Sequence, residues 1–304
     1  MTREAITDRL ANGDVLLLDG ATGSELHRRG VNVSKGAEPG KLGPWSATAN
    51  IDAPEVVRAV HEDYLRIGVD VLTSNNFWTS AARLNMVGLG SEWERYTRAA
   101  AEIALAARDA VNPHAYVAGG IAPPVHGDLR SEFLDQTRVL TDAGVDLMLA
   151  EYVGYLHDFA VAVEAAGSTG LPVFLGVRHV TLDGTLQYGD SFEDLARELR
   201  SLPVAAILLM CSSPPEISAC LPRLRDAWDG PIGAYANIGY TINPNFGQPG
   251  EQWHLIDQET YGPERYAGYV REWLAMGVSI VGGCCATGPE HIAELRKLIP
   301  MRAG

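Results

Sequence analysis

Thiols are where this chain could do its chemistry. It has four cysteines in 304 residues, Cys211, Cys220, Cys284 and Cys285, all in the C-terminal third, with two adjacent. That is too few, and too clustered, for a disulfide framework. In a reducing compartment the clustering points to metal binding or catalysis. Cys211 closes the apolar run 205–210, and Cys284–Cys285 follow the run 279–283. Three thiolates meeting on one ion suit zinc, which is soft enough for sulfur and redox-inert. Three protein ligands leave a fourth position open, the mark of a catalytic site and not a structural one. A free cysteine is also a common small buried hydrophobe. Cys220, inside the amphipathic stretch 214–228, is read that way. Gly282–Gly283 ahead of a helix could instead cradle a phosphate, but that reading leaves the adjacent cysteines without a purpose.

Positioning these thiols falls to a repeating pattern. Short β-rich runs lie at 15–18, 69–73, 115–118, 145–149, 172–177, 205–209, 231–235 and 279–281. Between them come stretches of helical period at 23–29, 54–67, 92–111, 131–143, 156–166, 192–202, 214–228 and 263–276, with a last one at 289–299. Eight alternations predict an α/β fold, a single-domain (β/α)8 TIM barrel over residues 1–304. A doubly wound open sheet is the alternative, but the first strand ends LLLDGATGSEL, without the GxGxxG spacing. Barrel active sites form at the C-terminal strand ends. Those ends carry Asp19, Ser74–Asn75–Asn76, Gly119–Gly120, Glu151–Tyr152, Arg178–His179, Cys211, Asn237 and Cys284–Cys285. Cys211 then closes strand six and Cys284–Cys285 strand eight, with their ends expected to face across the barrel mouth.

Composition removes other classes. The net charge is −14, and the only lysines are Lys35, Lys41 and Lys297. Nucleic-acid binding needs a basic stripe to replace counterions, and none is present. No apolar run approaches the roughly 20 residues that span a bilayer. The opening MTREAITDRLANGD has no apolar core of a secretory signal. A cytoplasmic protein is expected, without nucleic-acid or membrane partners. A homo-oligomer is compatible with the sequence.

The segment AMGVSIVGGCCATGPEHIAEL resembles the C-terminal signature of the homocysteine S-methyltransferase family. LLMCSSPPEI resembles its Asn-Cys-Ser-x-Pro-x-x-Ile segment, LLLDGATGSELHRRG its first strand and loop, and YANIGYTINP its Tyr-Pro-Asn-x-Gly segment. PEVVRAVHEDYLRIGVDVLTSNNF is similar too, so the resemblance covers nearly the whole chain. It implies a zinc-dependent barrel enzyme that methylates homocysteine to methionine. Cys211, Cys284 and Cys285 match its zinc ligands and catalytic centre. Asp19 matches an acidic residue near the amino-acid substrate. Glu151–Tyr152 look like the Glu-Tyr of the betaine-using branch, where Glu holds the substrate amino group and Tyr can approach zinc when substrate is absent. Met210, Arg178–His179, Tyr240 and Ala286 stand where the family commonly has other residues. The resemblance brings no cobalamin or folate module and no C-terminal assembly extension.

The chemistry is self-consistent. Coordination removes a thiol's proton, and the thiolate is the stronger nucleophile. A small onium donor, betaine-like ammonium or sulfonium, leaves without a general acid, so the protein mainly supplies positioning. Quaternary cations bind on aromatic faces. Trp45 in GPWSA and the pair Phe77–Trp78 in NNFWTS are the candidates, with Trp253 a further one; packing of the loop over the barrel top is the other reading of these rings. Asn237 joins the substrate-binding set. Rival functions are methylation of another small thiol, a zinc- or thiol-binding barrel without homocysteine activity, and a barrel metal hydrolase. The hydrolase would need a His-x-His pair, which the eight histidines do not form.

Overall fold

The eight apolar runs become parallel strands β1 (Leu16–Leu17), β2 (Val71–Thr73), β3 (Tyr116–Ile121), β4 (Leu147–Val153), β5 (Val173–Arg178), β6 (Val204–Met210), β7 (Ile232–Ala236) and β8 (Ile280–Gly283). The computed structural model describes residues 3–37, 43–124, 127–241, 254–255 and 260–300. The sheet runs β1–β8–β7–β6–β5–β4–β3–β2. Its ends meet where Leu18 bridges Val71, and there the Asp70 N–H donates to the Leu17 carbonyl at 2.8 Å. The result is a nearly closed (β/α)8 barrel, as the alternation predicts. A short antiparallel pair, Tyr240–Thr241 with His254–Leu255, lies outside the sheet.

Strand period 2 sorts the side chains. Leu16, Leu18, Val71, Tyr116, Ala118, Leu147, Leu149, Phe174, Ala206, Leu208 and Ile280 fill the barrel interior. Their alternates, such as Leu17, Leu72, Val117, Met148, Leu175 and Ile207, pack outward against the helices. The charged N-terminus forms a helix absent from the sequence expectation, Ile6–Ala11, whose Ile6 and Leu10 join the interior cluster. The outer helices start and stop at local signals. Pro54, Pro214, Pro263 and Pro289 sit in first turns. Asp128 caps Leu129–Ala143 by accepting from the Ser131 N–H, and Gly144 ends it at φ 97°.

Several strands run past their expected ends. β3 continues through Gly119–Gly120, and β4 carries Glu151 and Tyr152 inside the strand instead of after it. Glycine's weak strand preference hides this in the sequence; pairing of Gly119 with Met148 and Gly120 with Leu149 overrides it. The β4 ladder with β5 shifts register between Ala150 and Val153.

The two ends of the barrel differ in charge pairing. Beneath the strands, Asp70 accepts from Arg9, Arg296 and the Leu17 N–H, while Asp146 pairs with Arg3 and Arg108. At the opposite end, neither Asp19 nor Glu151 has a basic partner among the described residues.

Candidate active site

Cys211 directly follows β6, and Cys284–Cys285 directly follow β8. Their three Sγ atoms lie within 4.8 Å of one another, with 3.9 Å between Cys284 and Cys285. The thiols do not meet across the mouth, as the sequence suggests. Only β7 separates β6 from β8. Two strand spacings are still roughly 10 Å, so local backbone must turn the side chains together. Cys211 does this at φ 50° and Ala286 at φ 66°. Asn237, just past β7, ties the parts: its N–H donates to the Ser212 carbonyl at 2.9 Å and its Nδ2 lies 3.6 Å from Cys211 Sγ. The Tyr266 hydroxyl donates to the Gly282 carbonyl at 2.7 Å and accepts from the Ala236 N–H, locking β7 to β8.

The two glycines before the cysteines serve backbone approach. A Cβ on Gly282 would fall 2.6 Å from Leu18 Cβ, and one on Gly283 would collide with the Thr287 side chain. Cys220 is buried in its helix, with Sγ 3.2 Å from the Thr181 carbonyl, remote from the thiol group. Hydrogen bonds from Cys211 and Cys284 hold Cys285 well below the usual thiol value, and Cys284 is raised correspondingly.

These sulfurs border a cavity of about 680 Å³ at the C-terminal ends of the strands. All ten residues expected from sequence line it: Asp19, Trp45, Phe77, Trp78, Glu151, Tyr152, Cys211, Asn237, Cys284 and Cys285. Trp253 lies outside the described residues, as does the Tyr240 side chain. Asn75 lines the cavity but is spent on scaffolding. It exchanges hydrogen bonds with Ser46 and Asn50, stapling the loop that presents Trp45. The strained conformations gather here: among the described residues, the non-glycine ones at positive φ are Trp45, Tyr152, His179, Cys211 and Ala286.

Asp19 is 4% exposed and accepts from the Thr73 N–H at 2.9 Å and the Thr73 hydroxyl at 3.1 Å. Burial outweighs these bonds and pushes its carboxyl up to about 7. Glu151, 8% exposed, accepts from the Tyr235 hydroxyl at 3.4 Å. Burial, helped by the Asp19 charge, raises it to about 8. Arg178, at the end of β5, makes no ion pair with Glu151 and sits over the Tyr152 ring at 4.5 Å. The Tyr152 hydroxyl meets His179 Nε2 at 3.1 Å.

Residues that sequence reasoning passed over are Tyr235, whose inward position two residues before Asn237 was readable from strand alternation, and Arg83. Arg83 stacks on Trp78 with its guanidinium carbon 3.7 Å from the ring centroid. Nothing in the local sequence marks it.

A parallel barrel carrying a three-thiol group and, among the described residues, two buried carboxylates without a basic partner at its C-terminal strand ends defines a class of barrel protein with a candidate metal-binding site. The sequence profile of the homocysteine S-methyltransferase family matches residues 16–299, and the chain belongs to that family of methyltransferases. It is 28% identical to betaine–homocysteine S-methyltransferase 1 of Bos taurus, over 99% of this chain and 76% of that protein. It is 27% identical to the homocysteine S-methyltransferase of Escherichia coli K12, over 93% and 94% of the two chains. The crystal structure of the metallated homocysteine methyltransferase MmuM from Escherichia coli superposes with a TM-score of 0.77 at 25% identity, covering 96% of this chain and 98% of that one.

Proposed function

We propose that this protein transfers a methyl group from a small onium donor to the sulfur of homocysteine, giving methionine, with zinc held by Cys211, Cys284 and Cys285. The observation that carries the proposal is the placement of three thiols within 4.8 Å of one another on the same cavity as two buried carboxylates without basic partners. The donor set fits the metal: three sulfurs, close enough to share one soft ion, leave one position open. Zinc bound there would lower the proton affinity of the acceptor thiol, so that it reacts as thiolate at neutral pH.

The chain's own groups do the rest. Asp19 and Glu151 receive the acceptor's ammonium group, which replaces the missing cation. Tyr235, donating to Glu151, keeps that carboxylate turned into the cavity. The rings of Trp45, Phe77, Trp78 and Tyr152 enclose the donor, exclude water and bring its methyl carbon in line with the sulfur. The bond from the methyl carbon to the donor nitrogen or sulfur breaks as the new carbon–sulfur bond forms. The donor departs as a neutral amine or sulfide, so no proton need be supplied.

The test is incubation of the purified, zinc-loaded chain with homocysteine and a panel of methylammonium and methylsulfonium compounds, followed by mass spectrometry. Methionine formation with at least one onium compound supports the reading. Methylation of a different thiol, with homocysteine unchanged, refutes it.

A further inference from the structure

Three neighbouring strands end in the same unusual way. Tyr152 near the end of β4, His179 directly after β5 and Cys211 directly after β6 all take a left-handed backbone, at φ 63°, 53° and 50°. These strands are consecutive in the sheet, about 4.8 Å apart. A residue with a side chain is strained in that conformation and persists there only where its surroundings hold it. Here the three turns aim their side chains at one another. His179 Nε2 lies 3.1 Å from the Tyr152 hydroxyl, with the two rings edge to face at 5.2 Å. The His179 side chain also hydrogen-bonds Cys211. Tyr152, His179 and Cys211 all line the cavity.

The backbone keeps this row in register. The Val180 N–H, next after His179, donates to Ser212 Oγ at 2.9 Å, and Ser212 Oγ donates to the Met210 carbonyl at 3.2 Å. The Tyr152 N–H, where the β4–β5 ladder shifts register, reaches Met210 Sδ at 3.0 Å. The two residues flanking Cys211, Met210 and Ser212, thus hold the neighbouring strand ends. The row also has a chemical direction. A metal-bound thiolate only accepts hydrogen bonds, so His179 is the donor to Cys211. The Tyr152 hydroxyl can donate or accept, and so holds the imidazole in either tautomer. On the other flank, Asn237 brings Nδ2 to 3.6 Å from the same sulfur. Among the described residues, the ligand atoms close enough to share an ion are those of Cys211, Cys284 and Cys285, without an imidazole. Three thiolates outweigh one zinc ion in charge, and an acceptor thiolate would add to the excess. N–H donors to sulfur offset it.

We propose that His179 is a positioning residue of the metal centre: held by Tyr152, it donates a hydrogen bond to the Cys211 thiolate and fixes that ligand for zinc. The proposal rests on the methyl-transfer reading above for its metal and adds a residue to it. Partners of this kind orient a ligand and tune the metal, and their loss typically costs about 10–100-fold in metal affinity. The other roles open to His179 are a metal ligand in its own right and a plain wall of the cavity. Each gives a different result.

The experiment measures the zinc affinity of the full chain by competition with a chromophoric chelator, for wild type, H179L, H179Q, H179N, Y152F and Y152F/H179L. Cobalt(II)-loaded chains are compared by absorption, and melting curves of the metal-free chains confirm folding. H179L is expected to bind zinc about 10–100-fold more weakly at unchanged stoichiometry, and to shift the thiolate-to-cobalt charge-transfer band. H179Q and H179N keep an amide N–H near one ring nitrogen or the other, and one of them is expected to recover affinity to within a few-fold of wild type. Y152F should weaken zinc by about 2–10-fold, and by nothing further in H179L, because it acts through the imidazole. Should H179L fail to fold, Y152F and the two amide variants carry the comparison. Unchanged zinc affinity and cobalt spectrum in a folded H179L would overturn the proposal and leave His179 a wall of the cavity. Equal, unrescued losses in H179L, H179Q and H179N would overturn it in favour of direct ligation, and additive losses from Y152F and H179L would break the row. Methionine formation by the wild type is scored separately. Zinc binding without methionine from any onium donor sinks the methyl-transfer reading alone. Methionine formation with zinc affinity untouched in H179L sinks the role of His179 alone, and a wild type that takes up no zinc sinks both.

Discussion

Replacing Glu151 by Gln should remove the larger part of the proton linkage of acceptor binding and leave only the part carried by Asp19. With its carboxyl raised to about 8, Glu151 is about nine-tenths protonated at pH 7 in the ligand-free chain. Asp19, at about 7, is then about half protonated. An arriving ammonium favours the ionised carboxylates, so binding at pH 7 should release about 1.4 protons, roughly 0.9 from Glu151 and 0.5 from Asp19. The sign follows. Both acids titrate above their unfolded values, and the ligand selects the ionised form, so affinity rises with pH up to about 8, by as much as about tenfold per unit for each carboxyl still protonated. Removing one partner of a buried charge pair costs about 2–5 kcal/mol. Because Asp19 remains, the lower end applies, about 2–3 kcal/mol, or roughly 30–150-fold weaker binding at pH 8. Near pH 6 wild-type Glu151 is itself mostly protonated, and the deficit should shrink to a few-fold. Methionine is the appropriate probe, because it shares the amino-acid end and has no titrating thiol. Calorimetry at pH 6, 7 and 8, in buffers of different ionisation enthalpy, counts the protons directly. Wild-type heats independent of buffer, or equal affinities for wild type and a folded E151Q at pH 8, would refute the assignment of Glu151 to the ammonium group.

Cys211→Ala, Cys284→Ala and Cys285→Ala should each reduce zinc from about one per chain to near zero and abolish activity, whereas Cys220→Ala should change neither; metal analysis by plasma mass spectrometry decides, and full occupancy in Cys284→Ala breaks the ligand set. Trp45→Ala should weaken the donor by roughly 2–30-fold while methionine affinity stays, measured as donor KM against acceptor Kd. His61 is buried with both ring nitrogens unpartnered, and burial lowers it to about 4. The unfolded chain therefore takes up its proton first, and stability should fall by about 3 kcal/mol between pH 6.5 and 4. A His61→Leu chain should lose that portion of its acid sensitivity in urea titrations; parallel pH profiles for the two would exclude His61 as its source. Asp70→Asn, which weakens the ties from Arg9 and Arg296 beneath the barrel, should lower the unfolding midpoint without altering acceptor affinity.

The sequence alone determined the architecture and most of the cavity lining, and the reason is period. Alternating apolar runs and helical stretches can bury their faces in few ways, and a parallel barrel puts the residue after each strand on one rim. Asp19, Cys211, Asn237 and Cys284–Cys285 were legible for that reason. Tertiary structure decided what depends on distance between elements. That only β7 separates β6 from β8 follows from sequential barrel order, but the 4.8 Å convergence of the thiols also needs the positive-φ backbone at Cys211, which sequence order does not specify. The reach of β4 to Val153 comes from pairing with β5 beyond the expected strand end. Asn75 stands at a strand end on the rim, as the sequence places it, but its side chain is claimed by neighbours across the loop. Arg83 illustrates the limit most clearly. Among 21 arginines, a buried and unpaired one is identified only by what the fold places beside it, since burial and the absence of a partner are properties of neighbours distant in the chain.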